Sequence, residues 1–361
     1  MPNQEEKEPG YLANLINAVG LAGLAYSKNA PTLINSARQA FSRALHGICA
    51  ALVDPIEAAS DQMLVAAMLL ALYETVTLHP TADLSPWSRH VDGALALMQL
   101  RGVGQLRNRI SRSIFLHLRT EILIDCLQRG LRVPKVLIDF MAEARRNETQ
   151  QEAPTALLAD IVVNVCTALL LTEVKITDEG TLSSHISRLL SIDADLEGWA
   201  QTLPAEYGYK TRTKPRDVSE AGVFMGRYDT YYSVEIANMW NLQRCMRIIL
   251  CQAIVEAISN CLPISSSLSI LSSFPVSYTD LLITSKTTIR ESSSNICCSV
   301  PYILHSVDEA GTIHTATDTL RDWVIAAMEN IEEVTGIQKT KRITLTLQRR
   351  CCQMVVSTGG D

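Results

Sequence analysis

Hydrophobic residues recur along this chain at steps of three and four, the period of one face of an α-helix. The pattern predicts helices over residues 10–27, 31–52, 55–78, 86–101, 110–129, 134–146, 154–175 and 184–202. It resumes over 227–259, 278–303, 315–334 and 337–350. Several of these segments carry their own start and stop chemistry. Asp54-Pro55-Ile56-Glu57 supplies an acceptor at the cap, a proline at the first helical position and a glutamate placed to reach back from the third. Ser85-Pro86 is a second start of the same kind, while Gly102 and Gly130 supply stops that need a left-handed residue. In 86–101 the apolar side is Val91, Ala94, Leu95, Met98 and Leu100. In 110–129 it is Ile110, Ile114, Phe115, Leu118 and Ile122, with Arg109, Arg112, Arg119 and Glu121 mostly outside the stripe.

Strand signals are weak. Ile343 to Leu347 alternates over five residues only, inside a helical setting, and no convincing hairpin signal occurs. The expected fold is all-α, an irregular multi-helix array without substantial sheet. Leu203 to Gly222 is polar and charged with two prolines, and reads as an exposed connection. Pro263 to Pro275 holds a serine-rich loop or a frayed helix end. The organisation predicted is a disordered 1–9, a helical group over 10–202, the connection 203–222, a second helical group over 223–350 and a tail over 351–361. No repeat of fixed period points to a regular solenoid.

Composition narrows the class. Hydrophobic residues make up 47% of the 361, charged ones 19%, so a large buried core is expected. The net charge of −6 gives no global attraction to nucleic acid or anionic membrane. No apolar run reads as membrane-spanning: Met63 to Leu72 is short, and Asn164 and Thr167 interrupt Ile161 to Leu171. The polar, acidic opening MPNQEEKEPG is unlike a signal peptide, so residence inside the cell is expected. Of ten cysteines, Cys49, Cys126, Cys166, Cys245 and Cys251 lie in apolar helical patterns, where a reduced thiol behaves as a small hydrophobe. The adjacent pairs Cys297-Cys298 and Cys351-Cys352 lack the C-x-x-C turn of structural zinc sites, and neither a metal nor a cofactor is expected.

The order of parts between Leu69 and Pro134 is distinctive. It runs LLALYE, SPWSRHVDGALALMQLRG, SRSIFLHLRTEILIDCLQRG and then RVP. Tyr73-Glu74, Trp87, His90, Gly93-Ala94, Arg101-Gly102, Phe115, Arg119 and Gly130 together resemble the regulatory domain of the fungal binuclear zinc-cluster transcription factors. In that family a Leu-rich helix ending in Tyr-Glu precedes a Trp-x-x-His-x-x-Gly-Ala helix closed by Arg-Gly, and a Phe-x-x-x-Arg helix follows. The chain departs from the pattern at Ser111, where the family usually has a glycine. Later segments are similar too: Gly226-Arg227-Tyr228, Tyr232, Trp240-Asn241, Arg244 to Leu250, Ile296 to Leu304 and Arg321-Asp322-Trp323. The resemblance covers most of residues 10–350. It implies transcriptional control in a fungal nucleus (cytoplasm is the alternative), in a metabolic or biosynthetic pathway. The family's DNA-binding module, six cysteines in C-x-x-C spacing holding two zinc ions, is not in this sequence, since residues 1–60 hold only Cys49. Action through protein partners is therefore expected, either full-length relatives or the transcription machinery, with no specific DNA binding by the chain alone. A truncated gene product and a stand-alone regulator both fit that expectation. A helical interaction scaffold unrelated to transcription and a helical enzyme are the rival readings.

Candidate chemistry is sparse. Arg101, Arg107, Arg109, Arg112 and Arg119 form the densest basic cluster, but without interleaved aromatics or a recognition helix they read as a solvated face with local ion pairs. His90 and His117 lack a framing acid or nucleophile and read as packing or capping residues. There is no His-Glu-x-x-His helix, P-loop, Gly-x-Gly-x-x-Gly turn or aspartate-rich cluster. Catalytic, cofactor, metal and DNA-binding residues are all expected to be none. Trp87, Trp240 and Trp323 with Tyr228, Tyr231 and Tyr232 are more often core anchors than ligand contacts, though a cavity between helices for a small-molecule effector stays open as a reading. Asn147-Glu148-Thr149 matches a glycosylation triplet that an intracellular chain would not use.

Overall fold

The structure, a computed structural model, describes residues 10–27, 30–77, 85–170, 179–213, 226–261 and 276–303. Among them are eleven α-helices and a two-stranded sheet, so the fold is all-α. The helices predicted over 315–334 and 337–350, the tail, the serine-rich loop and Trp323 lie outside the described residues. Packing divides the chain into two compact units, one of residues 1–125 with 134–148, the other of 126–133 with 149–361. Helices from both sides of the 203–222 segment lie together in the second unit, so the packing does not divide at that segment.

The first unit contains α1 (Tyr11–Ser27), α2 (Thr32–Ala51), α3 (Pro55–Ala58), α4 (Asp61–Thr77), α5 (Ser85–Arg101), most of α6 (Arg109–Arg129) and α7 (Lys135–Arg145). Helix α1 buries Leu15, Ala18, Val19 and Ala22, spaced by three and four, against Ala37, Ala40, Ala44 and Ile48 of α2. Small side chains on both faces bring the two backbones close. Gly47 is the tightest point, where an added Cβ would lie 2.9 Å from the Tyr11 Cβ.

The start at Asp54 forms, its carboxylate accepting from the Ile56 N–H at 2.8 Å with Pro55 at the first position. Glu57 does not complete the box, because the Asp54 N–H instead donates to the Ala51 carbonyl at 3.2 Å. The helix predicted over 55–78 is two helices, broken where Ser60 accepts from the Met63 N–H at 3.1 Å and caps α4. Likewise Asn108 caps α6 by accepting from the Ile110 N–H at 2.8 Å. Gly102 and Gly130 take φ of +68° and +63°, a positive-φ backbone that favours glycine.

The second unit is built around α10 (Val234–Cys261), buried on nearly every side and flanked by α8 (Ala153–Leu170), α9 (Glu179–Thr202) and α11 (Val276–Ile303). On α9 a single stripe, Leu182, Ile186, Leu189, Ile192, Leu196 and Trp199, faces inward. Strand β1 (Tyr209–Thr213) pairs antiparallel with β2 (Arg227–Tyr231), Tyr209 opposite Tyr231 and Thr213 opposite Arg227. This small hairpin corrects the reading of 203–222 as connection alone and of 227–231 as helix. Tyr and Thr make up three of the five residues in each strand, and β2 is buried from Tyr228 to Tyr231 because it packs against α10 and α11.

Helix α8 is also longer than the apolar run expected there. Its 18 residues have mean hydropathy 1.8, enough by length and composition for a membrane span, and 44% of it is buried within the protein. It packs on α9 and α10. Thr167, expected to interrupt the run, satisfies its hydroxyl on the Val163 carbonyl at 2.9 Å and so remains helical.

Candidate functional site

In the first unit, the residues that carry the resemblance are anchors and latches. Trp87 (1% exposed), Ala94 and Phe115 are buried, with Phe115 against Phe140 at 5.7 Å between ring centroids. Tyr73 stacks on Phe41 at 4.0 Å. His90 of α5 lies 3.8 Å from Glu74 of α4, an acid neighbour that the sequence did not place beside it. Gly93 is exposed, and a Cβ there would meet nothing. Arg101 pairs with Asp61 and donates to the Ser111 hydroxyl at 3.1 Å, while that hydroxyl donates to Asp61 at 2.7 Å. The residue at which the chain departs from the family pattern thus closes the latch between α4, α5 and α6.

Burial of Asp61 by itself would raise its carboxyl pKa. Hydrogen bonds from Arg101 and Ser111, with the Arg101 charge, outweigh burial and hold the carboxyl below the ordinary 3.8. A carboxyl lowered on folding stabilises fully above the unfolded value, and that stability is lost as pH falls through the folded value. Urea unfolding midpoints should therefore drop in the acid range below the ordinary carboxylate value. Asp61→Asn should be less stable at neutral pH and lack that part of the acid dependence. An unchanged acid limb in the variant would contradict this role.

The arginine cluster is not one solvated face. Arg107 and Arg109 are exposed, but Arg119 is 4% exposed, correcting its placement outside the apolar stripe. Arg112 donates to the Ala144 carbonyl at 2.9 Å. Ile110, counted on the apolar face, is instead 63% exposed because it sits in the first turn of α6, and Leu100 in the last turn of α5 is likewise exposed. His117 makes a local contact, its Nδ1 placed to donate to the Ser113 carbonyl at 3.1 Å.

In the second unit, Asp229 of β2 and Arg244 of α10 form a buried ionic centre, 1% and 3% exposed. Arg244 Nη2 lies 3.3 Å from Asp229 Oδ2. Its Nη1 faces the Tyr231 hydroxyl at 2.9 Å, Asn241 Oδ1 at 3.0 Å and the Asn295 carbonyl at 3.0 Å. Thr211 donates to Asp229 Oδ1 at 2.8 Å, and Tyr231 donates to Oδ2 at 3.2 Å. The guanidinium also lies over the Tyr209 ring, 4.8 Å from its centroid. Asn241 continues the network to Ser299 of α11 at 2.8 Å. Burial pushes the Tyr231 phenol well above its ordinary value, against the pull of Arg244, so it stays neutral and cannot serve as a base near neutral pH.

Every branch of this centre ends on protein, which makes it a clamp of the hairpin on α10 and α11. Three residues on, Arg247 grips α9 through Asp193 at 2.8 and 2.9 Å and Glu197 at 2.6 Å. The Arg-x-x-Arg spacing thus serves two faces of one helix. Trp240 donates to the Tyr207 carbonyl at 2.7 Å and meets Trp199 edge-on, an anchor as expected. Tyr228 and Tyr231 are buried, whereas Tyr232 is 71% exposed.

The eight described cysteines are thiols, and Cys126, Cys166, Cys245 and Cys251 are buried. Cys49 is exposed, contrary to its apolar setting in the sequence, because it falls on the outer side of α2 from Ala44 and Ile48. Burial, with Asp193 adding to it, pushes the Cys251 thiol up to about 12, which removes it as a nucleophile at neutral pH. Among the described residues no three His, Cys, Asp or Glu side chains group to hold a metal ion. The second unit also contains an open cavity of about 190 Å³ between the C-terminal ends of α6 and α8 and the middle of α10. It does not involve the aromatic residues from which a ligand pocket was considered. Gln252, one of its lining residues, had no motif to mark it in the sequence.

No protein-family model, curated protein or solved structure matches the chain.

Proposed function

We propose that the chain is the regulatory part of a transcriptional regulator, acting in the nucleus through protein contacts rather than as an enzyme. The observation that carries this reading is that the residues of the resemblance work as a set. Tyr73, Trp87, Ala94, Phe115 and Arg119 are buried, Arg101 closes a three-helix latch, and Gly102 and Gly130 take positive φ where helices stop. Packing positions for most members of the pattern, with Gly93 and Tyr232 as exposed exceptions, are what a shared helical architecture requires, and so they support the resemblance. The absence of any six-cysteine run from residues 1–361 and the net charge of −6 favour partner proteins over DNA. An apolar tip at the start of α3, with Val53 83% and Ile56 82% exposed, offers one surface for such contacts.

Residues 1–361 tethered to a heterologous DNA-binding domain should activate or repress a reporter. Val53→Asp with Ile56→Asp should weaken the effect if the tip is used. The untethered protein should give no specific gel shift at physiological salt. Specific DNA binding by the untethered chain would refute the claim about DNA. A silent fusion, together with unchanged transcripts after gene deletion, would favour a scaffold or an enzyme.

A further inference from the structure

We propose that the cavity of the second unit binds a small single-ring amine. Its walls combine polar surface with apolar side chains, Leu127 of α6, Leu169 and Leu170 of α8 and Ile249 of α10, and include the Cys166 thiol. At about 190 Å³ it is of the same order as an engineered apolar cavity of about 150 Å³ that admits benzene, so one ring fits and a second does not. Gly130 and Glu256 line it and are exposed, placing them at the mouth.

The polar groups decide the ligand. Gln252 is only 5% exposed, and its side-chain carbonyl oxygen has no hydrogen-bond partner among the described residues. A buried acceptor left unmatched is unfavourable, and a donor brought by a ligand relieves it. Glu256 follows four residues later on α10, one helical turn toward the mouth and on the same face. Two acceptors thus line one side, one neutral and deep, one anionic at the rim. Among the described lining residues no Lys or Arg answers Glu256. An N–H donor on an apolar ring satisfies both acceptors, and a positive charge on it is favoured by the carboxylate. An anionic ring such as benzoate would meet Glu256 as a like charge. Binding is expected whether or not the chain regulates transcription.

The test uses the whole chain with four probes of similar size: benzylamine, benzyl alcohol, toluene and benzoate. Ligand-observed NMR and calorimetry should rank benzylamine first and benzyl alcohol second, with toluene and benzoate at least roughly tenfold weaker, as expected when a buried acceptor goes unmatched. Gln252→Leu should lose the preference for benzylamine over toluene. Glu256→Gln should narrow the gap between benzylamine and benzyl alcohol while leaving the alcohol unchanged. Ala253→Leu, a smaller change than a plug of Phe, should reduce binding of all four, with far-UV circular dichroism confirming that each variant is folded. No binding of any probe at millimolar concentration, equal binding of toluene and benzylamine, or a preference that survives Gln252→Leu in a folded variant would each overturn the proposal.

Discussion

Trp87→Ala is expected to destabilise the protein by roughly 3–5 kcal/mol, the cost of deleting a fully buried large aromatic. Trp87 is 1% exposed near the start of α5, where Val91, Ala94 and Met98 bury the same helix at successive turns. The next residue, Ser88, donates to the buried Asp125 of α6 at 2.7 Å, which pins this end of α5. With the helix held there, neighbouring side chains can collapse only partly into the space the indole leaves. Trp87→Phe should cost distinctly less, because it keeps most of the apolar volume. Ile56→Ala, at an exposed position, should change stability by no more than about 0.5 kcal/mol. Equilibrium urea unfolding followed by far-UV circular dichroism checks all three. A loss below about 1 kcal/mol for Trp87→Ala would mean that the site repacks freely or that the indole is not a core anchor.

Arg244→Met is expected to cost a comparable amount, roughly 3–5 kcal/mol, for an electrostatic reason. The substitution roughly keeps the length of the buried side chain and removes the cation that answers Asp229. The carboxylate would keep Thr211 and Tyr231 as hydrogen-bond donors but would remain a charge inside the protein, at 1% exposure. Replacing the partner as well, in Arg244→Met with Asp229→Asn, should recover much of the loss, since two neutral groups carry no uncompensated charge. The double-mutant cycle therefore should show strong coupling between the two positions. If the single variants add without coupling, the ion pair is not what holds the hairpin to α10. Loss of β1 and β2 pairing in Arg244→Met, seen as faster amide exchange over residues 209–213 and 227–231, is the expected structural signature.

Most of the helices were legible because their signals are local. Period, caps and stops occupy a few consecutive residues, so Asp54, Gly102 and Gly130 do in the structure what their neighbours in sequence indicate. The cap at Ser60 is equally local but is hidden by an apolar period that continues across it, whereas Asn108 lies in the gap between two predicted helices. The hairpin was missed for a different reason. YKTRT and RYDTY are each too short to show alternation, and the residues between them give no tight-turn signature. What makes them strands is their pairing and the cover of α10 and α11, the second of which the sequence places well downstream.

By itself the sequence determined that this is a helical protein with a large core, where many of its helices start and stop, and that Trp87, Tyr228 and Tyr231 lie in that core. Those properties follow from neighbours three or four residues away. Only the tertiary structure decided that Arg119 turns inward, that Ser111 joins Arg101 to Asp61, and that Arg244 answers an aspartate 15 residues earlier across a hairpin. It alone also brought Leu127, Cys166 and Gln252 to one cavity. A charge or an amide in the sequence has no stated partner until folding sets which groups share its low-dielectric surroundings. Burial then makes the presence or absence of that partner decisive.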